Sequence, residues 1–289
     1  MRIGNKALRA LSHSWLPSLS RRFGKRRHMD SRNVKFREHL IRLYGNEKDH
    51  YFKHIDFEKN HTNDFFIYVL DRCVSSRTIA VDVGANIGVT TALLATAVKE
   101  GAIYSFEPSP IAFPFLTETI KANRIANAYP QNLALSDRLG TANFFDNPVS
   151  ASASHLATQE ALGGNTTAVE MTTLDEFAAR HRIERVDFVK IDVEGFEAEV
   201  LDGAKEIIRR DKPGVFIEFN SFTLIAYGNK NPRTVLEKLM ATFSHVYFFE
   251  GGQVHQIMDS TGLLHFLHEN LVRHHCVDDL YCCSEPLRA

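Results

Sequence analysis

The stretch Val81-Asp-Val-Gly-Ala-Asn-Ile-Gly88 carries the strongest structural signal in this chain of 289 residues. An apolar run at residues 78–83 ends in an acid and then a glycine, which is typical of a buried parallel strand at its carboxyl edge. Gly84 allows the backbone to turn tightly and a ligand to come close, and Gly88 allows close packing where a helix begins. The stretch therefore predicts a strand, a tight turn and a helix.

The alternation of strands and helices continues after this turn. Short connections between the elements favour an α/β fold with a mostly parallel sheet that helices cover on both faces. In such sheets ligands bind beyond the carboxyl ends of the strands, near a topological switch point, so the residues after each strand are the candidate site. The predicted strands are 78–83, 102–106, 128–135, 186–191, 214–219 and 245–249, the predicted helices are 89–99, 110–123, 173–181, 196–210 and 234–242, and a strand pair is predicted at 141–145 and 167–171.

Two further amphipathic helices are predicted upstream, at residues 34–44 and 63–74. Both are too short to form a core alone, so we expect them to pack on the residues that follow. The sequence thus divides into a basic flexible leader (residues 1–30), a helical N-terminal extension (31–76) and one α/β domain (77–289).

The composition excludes several classes of protein. Hydrophobic residues at 44% and charged residues at 24% are ordinary for a globular chain. No stretch approaches the roughly 18 to 20 apolar residues that span a bilayer, and the N-terminus lacks the apolar core of a secretory signal. The four cysteines form no CxxC pair and no set with zinc spacing, so we expect reduced thiols in a cytoplasmic protein.

The net charge of −1 conceals two differently charged segments. Residues 1–28 hold eight of the 34 basic residues and no acid, which leaves 26 basic and 35 acidic residues in the remainder. The leader could touch an anionic membrane surface, its composition also fits an organelle transit peptide, and a solvated tail is the third alternative. The acidic remainder argues against a nucleic-acid partner.

The glycine spacing after the first strand restricts the class of ligand. It lacks the GxGxxG pattern of a dinucleotide site and the Gly-Lys-Ser/Thr of a nucleoside triphosphate site. Asp82 would repel a phosphate but suits a cationic amino group. S-adenosylmethionine has such a group and no phosphate, so it fits this pattern, which a plain tight turn explains equally well. A NAD-dependent oxidoreductase on a similar sheet, and a non-catalytic binding protein with this fold, are the alternatives.

Acidic residues also follow the later strands. Glu107 ends the second strand, where an acid can accept hydrogen bonds from both ribose hydroxyls, although a solvated acid is the alternative. Lys190 and Asp192 share one face at the end of the fourth strand, where an acceptor must reach the cofactor. Glu194 opens the next helix, where a capping acid is the alternative.

Two further segments are predicted to bind the acceptor. Glu218 and Asn220 follow the fifth strand and can hold hydroxyl groups. Ser152, Ser154 and His155 lie in the loop before the fourth strand, and small hydroxyl residues beside a histidine suit an acceptor cleft. Histidine titrates near neutral pH and can take a proton from an alcohol, but a solvated loop histidine is the alternative.

Together these stretches resemble the FkbM family of S-adenosylmethionine-dependent methyltransferases. The resemblance covers about residues 77–222 and leaves out residues 1–60 and the tail after about 250. It rests on residues 81–88 and on Phe106-Glu-Pro-Ser-Pro110, Leu133-Ala-Leu-Ser-Asp137, Thr172-Thr-Leu-Asp175, Val189-Lys-Ile-Asp-Val-Glu-Gly-Phe196 and Leu201-Asp-Gly-Ala204, which occur in this order.

The resemblance implies a class I, Rossmann-like methyltransferase fold. It implies transfer of a methyl group to a hydroxyl of a saccharide or a secondary metabolite. The implied contacts are Asp82, Gly84, Asn86 and Gly88 with the methionine part of the cofactor, Glu107 with its ribose, Asn132 and Ala134 with its adenine, Asp192 with both cofactor and acceptor, and Glu194 and Glu218 with the acceptor.

Transfer to a hydroxyl needs a base that accepts the proton as the oxygen attacks. Asp192 and His155 are the two candidates, with Lys190 orienting the site. A divalent metal ion held by Asp192, Glu194 and Glu218 is a further alternative, because magnesium and calcium prefer oxygen ligands, but no metal is predicted. The sequence makes no prediction of the oligomeric state.

Overall fold

The computed structural model describes residues 29–57, 64–147, 154–157 and 166–287. The basic segment 1–28 lies outside the described residues, so the expectations for it stay predictions. The described chain begins with an antiparallel hairpin of β1 (Asp30–Phe36) and β2 (His39–Gly45), in which Val34 is paired with Ile41.

The helix predicted at residues 34–44 is therefore wrong. Val34 and Phe36 are buried on β1, and Ile41 and Leu43 are buried on β2, while their neighbours alternate toward solvent. This two-residue period belongs to a strand. Leu40, which the helical interpretation counted with the apolar face, is 66% exposed.

The helices of the described chain are short, and several begin at a side-chain cap. They are α1 (His50–His54), α2 (Asp64–Cys73), α3 (Val89–Ala97), α4 (Phe113–Ala122), α5 (Leu174–His181), α6 (Glu197–Asp202), α7 (Lys205–Asp211), α8 (Ser221–Ala226), α9 (Pro232–Thr242) and α10 (Ser260–Val272). Thr173 caps α5, since its side chain accepts from the amide of Glu176 at 3.0 Å. The single helix predicted at 196–210 is instead divided into α6 and α7 around Gly203.

A sheet of eight strands forms the centre of the molecule, in the order β13-β12-β14-β11-β10-β3-β4-β5. The strands are β3 (Ile79–Val83), β4 (Ala102–Phe106), β5 (Ala128–Gln131), β10 (Phe188–Ile191), β11 (Gly214–Asn220), β12 (His245–Glu250), β13 (Gln253–Gln256) and β14 (Val277–Cys283). Strands β3, β4, β5, β10 and β11 pair in parallel, and β14 runs antiparallel between β11 and β12. The predicted mostly parallel sheet is confirmed.

The chain changes direction across the sheet between β3 and β10. After β3 it builds β4 and β5 on one side, and it returns to β10 on the other side. The two strand ends therefore open a crevice at the carboxyl edge, which is the usual ligand position in such sheets.

A smaller sheet covers part of this edge. Its strands are β6 (Ala134–Leu135), β7 (Gly140–Phe145), β8 (His155–Leu156) and β9 (Thr166–Thr172), in the order β6-β9-β7-β8. The antiparallel pairing of β7 with β9 confirms the predicted strand pair.

The central sheet separates two apolar cores. One core joins the sheet to α5, α6, α7, α9 and α10 through residues such as Leu174, Leu236 and Phe266. The other joins it to the N-terminal hairpin, α2, α3 and α4. The upstream segment thus packs on the domain, as expected. In the part of the chain that the structure describes, no helix is long and apolar enough to cross a membrane.

Candidate functional site

A cavity of about 320 Å³ lies at the carboxyl edge, where β3, β4, β10 and β11 end. Its position confirms that the residues after these strands come together. Its described lining consists of residues 83–86, 89–90, 106–108, 133–135 and 192–194, together with Tyr51, Phe144, Ser154, Leu156, Lys190 and Glu218.

Gly84 brings the first strand end against the fourth. Its φ is +78°, and a Cβ at this position would lie 1.8 Å from the carbonyl oxygen of Asp192. No side chain fits there, and glycine also removes the strain of the left-handed backbone. The amides of Gly84 and Ala85 donate to the carbonyl of Phe106 at 3.0 and 2.9 Å, which ties the turn to β4.

Glu107 is held in place by the backbone around it. The amide of Asn86 donates to Oε2 at 2.7 Å, and the amide of Ser109 donates to Oε1 at 2.8 Å. The side chain lines the cavity although the residue is only 5% exposed, and burial raises its pKa to about 7. Both oxygens keep a lone pair for hydroxyl donors, because a carboxylate accepts about four hydrogen bonds.

Asn132 and Ala134 have different positions. Ala134 lines the cavity. Asn132 does not belong to its wall, because its amide donates to the carbonyls of Glu107 and Pro108 at 2.8 and 3.1 Å. Asn132 therefore supports the backbone of Glu107, and its contact with the adenine stays a prediction.

Asp82 and Gly88 also lie behind the wall of the cavity. Asp82 is fully buried, and the hydroxyl of Thr91 donates to its Oδ2 at 2.6 Å. A Cβ at Gly88 would lie 2.9 Å from Leu116, so this glycine serves the packing of α3 on α4. The contact of both residues with the methionine part of the cofactor, which the resemblance implies, stays a prediction.

Three acids meet at the opposite end of the cavity. Carboxyl oxygens of Asp192, Glu194 and Glu218 lie within 4.8 Å of one another. Burial raises the pKa of Glu194 to about 8 and the pKa of Glu218 well above its ordinary value, and the charge of Asp192 adds to both shifts. Oε2 of Glu218 and Oδ1 of Asn86 are buried without a hydrogen-bond partner, so both are available to a donor.

Lys190 partly balances this negative charge. Its ammonium donates to Oδ2 of Asp192 at 2.8 Å. Burial lowers the pKa of Lys190, but the carboxylates of Asp192 and Asp82 more than compensate, so its pKa is raised. Lys190 is the one basic side chain among the described residues that line the cavity. This end of the cavity therefore favours a cationic ligand group.

The loop residues and Asn220 take several positions. Ser154 lines the cavity, whereas Ser152 lies outside the described residues. His155 is not part of the wall, because its ring stacks on Tyr227 with centroids 3.7 Å apart. Asn220 caps α8 by accepting from the amides of Phe222 and Thr223, and its contact with an acceptor stays a prediction.

The sequence interpretation missed Tyr51. This residue lies on α1, in the segment expected to serve only as a packing extension, and its side chain lines the cavity. The charged residues around its phenol include Lys190, Asp192 and Asp82. No local signal marks Tyr51, because its role depends on how the hairpin and α1 pack against the sheet.

A second group of potential metal ligands lies elsewhere. Glu250, Glu269 and His274 have ligand atoms close together. Arg273 already pairs with Glu269 at 2.9 Å, and His274 pairs with Asp278 at 2.9 Å. Glu269 and His274 of this group therefore already have protein partners.

The sheet order, the glycine turn and the buried acid after β4 define a class I, Rossmann-like methyltransferase fold. A family model described as the methyltransferase FkbM domain matches residues 82–258, which is more than half of the chain. The chain belongs to this family.

Individual proteins align over shorter parts of the chain. It is 32% identical over 122 residues to hexuronic acid methyltransferase AglP of Haloferax volcanii, covering 42% of this chain and 48% of that protein. It is 28% identical over 173 residues to methyltransferase sdnD of Sordaria araneosa, covering 45% and 62%. The chain thus spans about half to three fifths of these curated relatives. A solved FkbM methyltransferase from Methylobacillus flagellatus matches with a TM-score of 0.45 and 15% identity, covering 72% of this chain and 44% of that one.

Proposed function

We propose that this protein transfers the methyl group of S-adenosylmethionine to a hydroxyl group of a saccharide or secondary-metabolite acceptor. The observation that carries the proposal is the cavity itself. One end offers a fixed carboxylate at Glu107, and the other offers a group of acids around Asp192.

The residues of the cavity fit this cofactor. Glu107 suits the two ribose hydroxyls, and the apolar residues 133–135 suit the adenine. The buried, unpartnered Oδ1 of Asn86 and the acids around Asp192 suit the amino group and the sulfonium. The wall has no cluster of basic side chains among its described residues, which disfavours a phosphate-containing cofactor.

The bound cofactor would supply an electrophilic methyl group. The chain must then position an acceptor oxygen and take up its proton, and positioning alone can contribute much of the rate. Asp192 is the proposed proton acceptor because it lines the cavity and because the ammonium of Lys190 donates to its Oδ2 at 2.8 Å, which orients the carboxylate. His155 is the weaker candidate, since its ring is stacked on Tyr227 outside the wall.

The acceptor class follows from the site and from one relative. Glu194 and Glu218 offer carboxyl oxygens to acceptor hydroxyls, which are the dominant groups of a sugar. The relative from Haloferax volcanii is described as acting on a hexuronic acid. A saccharide is therefore the first acceptor class to test.

The test is a transfer assay with methyl-labelled S-adenosylmethionine. Purified protein is incubated with a panel of hexuronic acids, neutral sugars and hydroxylated metabolites, and mass spectrometry locates the added methyl group. We expect O-methylated product from at least one saccharide. Binding of S-adenosylhomocysteine is measured in parallel by calorimetry, and its absence would refute the proposal at the level of the cofactor.

A divalent cation is the second candidate for the acidic end. The observation in its favour is the spacing of Asp192, Glu194 and Glu218, which suits hard oxygen coordination. In this variant of the proposal the metal would hold the acceptor oxygen next to Asp192. Turnover that is unchanged by a strong chelator, and not increased by added Mg²⁺ or Mn²⁺, would eliminate the metal.

A further inference from the structure

One residue that lines the cavity comes from the N-terminal segment, outside the part of the chain that the family model matches. The family model begins at residue 82, whereas Tyr51 belongs to α1 and lines the cavity. This contact raises the question of which part of a ligand Tyr51 meets.

Helix α1 is short but firmly anchored. Asp49 caps its start by accepting from the amide of Phe52 at 2.9 Å. The guanidinium of Arg32 on β1 donates to the carbonyl of Phe52 at 2.8 Å and also to that of Lys53. Phe52 is 1% exposed and packs so closely on Gly45 that a Cβ there would lie 2.3 Å from its ring. Tyr51 is therefore held at a fixed position.

The surroundings of Tyr51 locate it along the cavity. Its charged neighbours are Lys190 and Asp192 at the end of β10, Asp82 on β3 and Asp49 on its own turn. Glu107 and residues 133–135 lie toward β4 and β5 instead. Tyr51 thus lies above the junction of β3 and β10, beyond the part of the cavity that suits ribose and adenine.

Few backbone donors of the glycine turn remain for a ligand at this junction. The amides of Gly84 and Ala85 are bonded to Phe106, that of Asn86 is bonded to Glu107, and that of Gly88 is bonded to Ala85. An anionic group bound here must therefore take its hydrogen bonds from other donors, since a buried charge without partners is costly.

The available donors are on α1, on α3 and at Lys190. Thr90 lies in the first turn of α3, whose start favours negative charge, and it lines the cavity. Lys190 is already paired with Asp192. The phenol of Tyr51 adds a neutral hydroxyl donor, since tyrosine stays protonated at neutral pH.

From this arrangement we infer that Tyr51 donates a hydrogen bond to the carboxylate of the methionine part of the cofactor. The inference rests on the proposed function and assigns the N-terminal segment to the cofactor site. It explains how an acidic cavity can accept a carboxylate: the amino and sulfonium groups face the acids, and the carboxylate faces Tyr51 and Thr90.

The test compares two ligands in calorimetry. S-adenosylhomocysteine carries the carboxylate, and its decarboxylated analogue keeps the adenosine and the amine but lacks that group. In Tyr51→Phe we expect about ten-fold weaker binding of S-adenosylhomocysteine or more, because a hydrogen bond to a charged group is lost. Binding of the decarboxylated analogue should change less than two-fold. Tyr44→Phe, at a half-buried tyrosine on β2 outside the cavity, is the matched control and should change neither.

Each other outcome has a definite meaning. Equal affinities of wild type and Tyr51→Phe for S-adenosylhomocysteine would overturn the inference, and so would an equal loss for both ligands. If wild type binds S-adenosylhomocysteine normally but Tyr51→Phe loses only turnover, the residue meets the acceptor and the inference is wrong. If wild type binds neither ligand, the proposed function fails first and the inference fails with it.

Discussion

The two ends of the cavity both present carboxyl groups, but these groups are stabilised differently. Glu107 at the β4 end accepts hydrogen bonds from two backbone amides, at 2.7 and 2.8 Å. The apolar residues Phe106 and Pro108, next to it in the chain, also line the cavity. Asp192, Glu194 and Glu218 at the β10–β11 end face one another, with Lys190 as their one cationic neighbour among the described lining residues.

This difference indicates what each end can bind. Both carboxyl oxygens of Glu107 already accept a hydrogen bond without a ligand, and their remaining lone pairs suit neutral hydroxyl donors. The acidic end has more carboxyl groups than Lys190 can neutralise, so burial and mutual repulsion raise the pKa of Glu194 and of Glu218. A bound cation would relieve that repulsion. The cavity thus orients an asymmetric ligand through charge at one end and hydrogen bonds at the other.

The two ends meet at Gly84, so the largest effect is expected there. In Gly84→Ala the new Cβ would overlap the carbonyl of Asp192, and the backbone would keep a φ of +78°. We expect a loss of about 3 kcal/mol or more in the free energy of unfolding and no binding of S-adenosylhomocysteine. Chemical denaturation and calorimetry measure the two effects.

Gly251→Ala is the matched control for strain without a clash. Gly251 has a φ of +57°, and a Cβ there would meet nothing within 4 Å. We expect this variant to lose only about 1 kcal/mol and to bind normally. A Gly84→Ala protein as stable as Gly251→Ala would show that the two strand ends do not depend on this contact.

Asp192→Asn should act on the acidic end alone. Removal of the proposed base should lower turnover by about 100- to 10,000-fold, while the affinity for S-adenosylhomocysteine changes less than about ten-fold. Asp137→Asn, on the surface beside Arg138, should leave both unchanged. Full turnover in Asp192→Asn would remove this residue from proton transfer.

Glu107→Gln should act on the opposite end and on affinity. The amide group of glutamine would place its NH₂ against one of the two backbone amides that now donate to Glu107. We expect about 10- to 100-fold weaker binding of both S-adenosylmethionine and S-adenosylhomocysteine, because both carry the ribose. Glu100→Gln, an exposed substitution, is the control. A loss confined to one of the two ligands would contradict the assignment of Glu107 to the ribose.

The sequence predicts which residues follow each strand at the two ends of the cavity, because the end of a strand is a local feature. The glycine turn, Glu107 and the residues after β10 were found from apolar runs that stop at an acid. The sequence predicts a helix at 34–44 instead of the hairpin because, over so few residues, the apolar positions fit the helical period as well as the two-residue period of a strand. The sequence does not show which way a side chain turns, so it does not separate the lining residue Ser154 from Asp82, His155 and Asn220, which lie outside the wall of the cavity. Tyr51 could not be found, since only tertiary packing brings α1 to the cavity.

The smallest expected effect depends on pH and separates the two ends by charge. Burial, then the charge of Asp192, raises the pKa of Glu194 to about 8, so its carboxylate forms as the pH rises through 8. S-adenosylmethionine carries a sulfonium that S-adenosylhomocysteine lacks. Its affinity relative to S-adenosylhomocysteine should therefore rise between pH 6 and 9, by about two- to ten-fold. Glu107, with a pKa raised to about 7 by burial, affects both ligands equally and cancels from the ratio.

Calorimetry at several pH values measures the ratio. Glu194→Gln should make the rise smaller, with Glu218 as the remaining acid of raised pKa at this end, while Glu107→Gln should leave the rise unchanged. The ligand-free protein should show the opposite trend in stability. Both acids bind more protons when folded than when unfolded, between their ordinary pKa of 4.5 and their folded pKa of about 7 or about 8. The free energy of unfolding should therefore decrease as the pH rises through that window. A ratio that stays constant in wild type, or that rises equally in wild type and in Glu194→Gln, would show that the sulfonium does not bind beside Glu194.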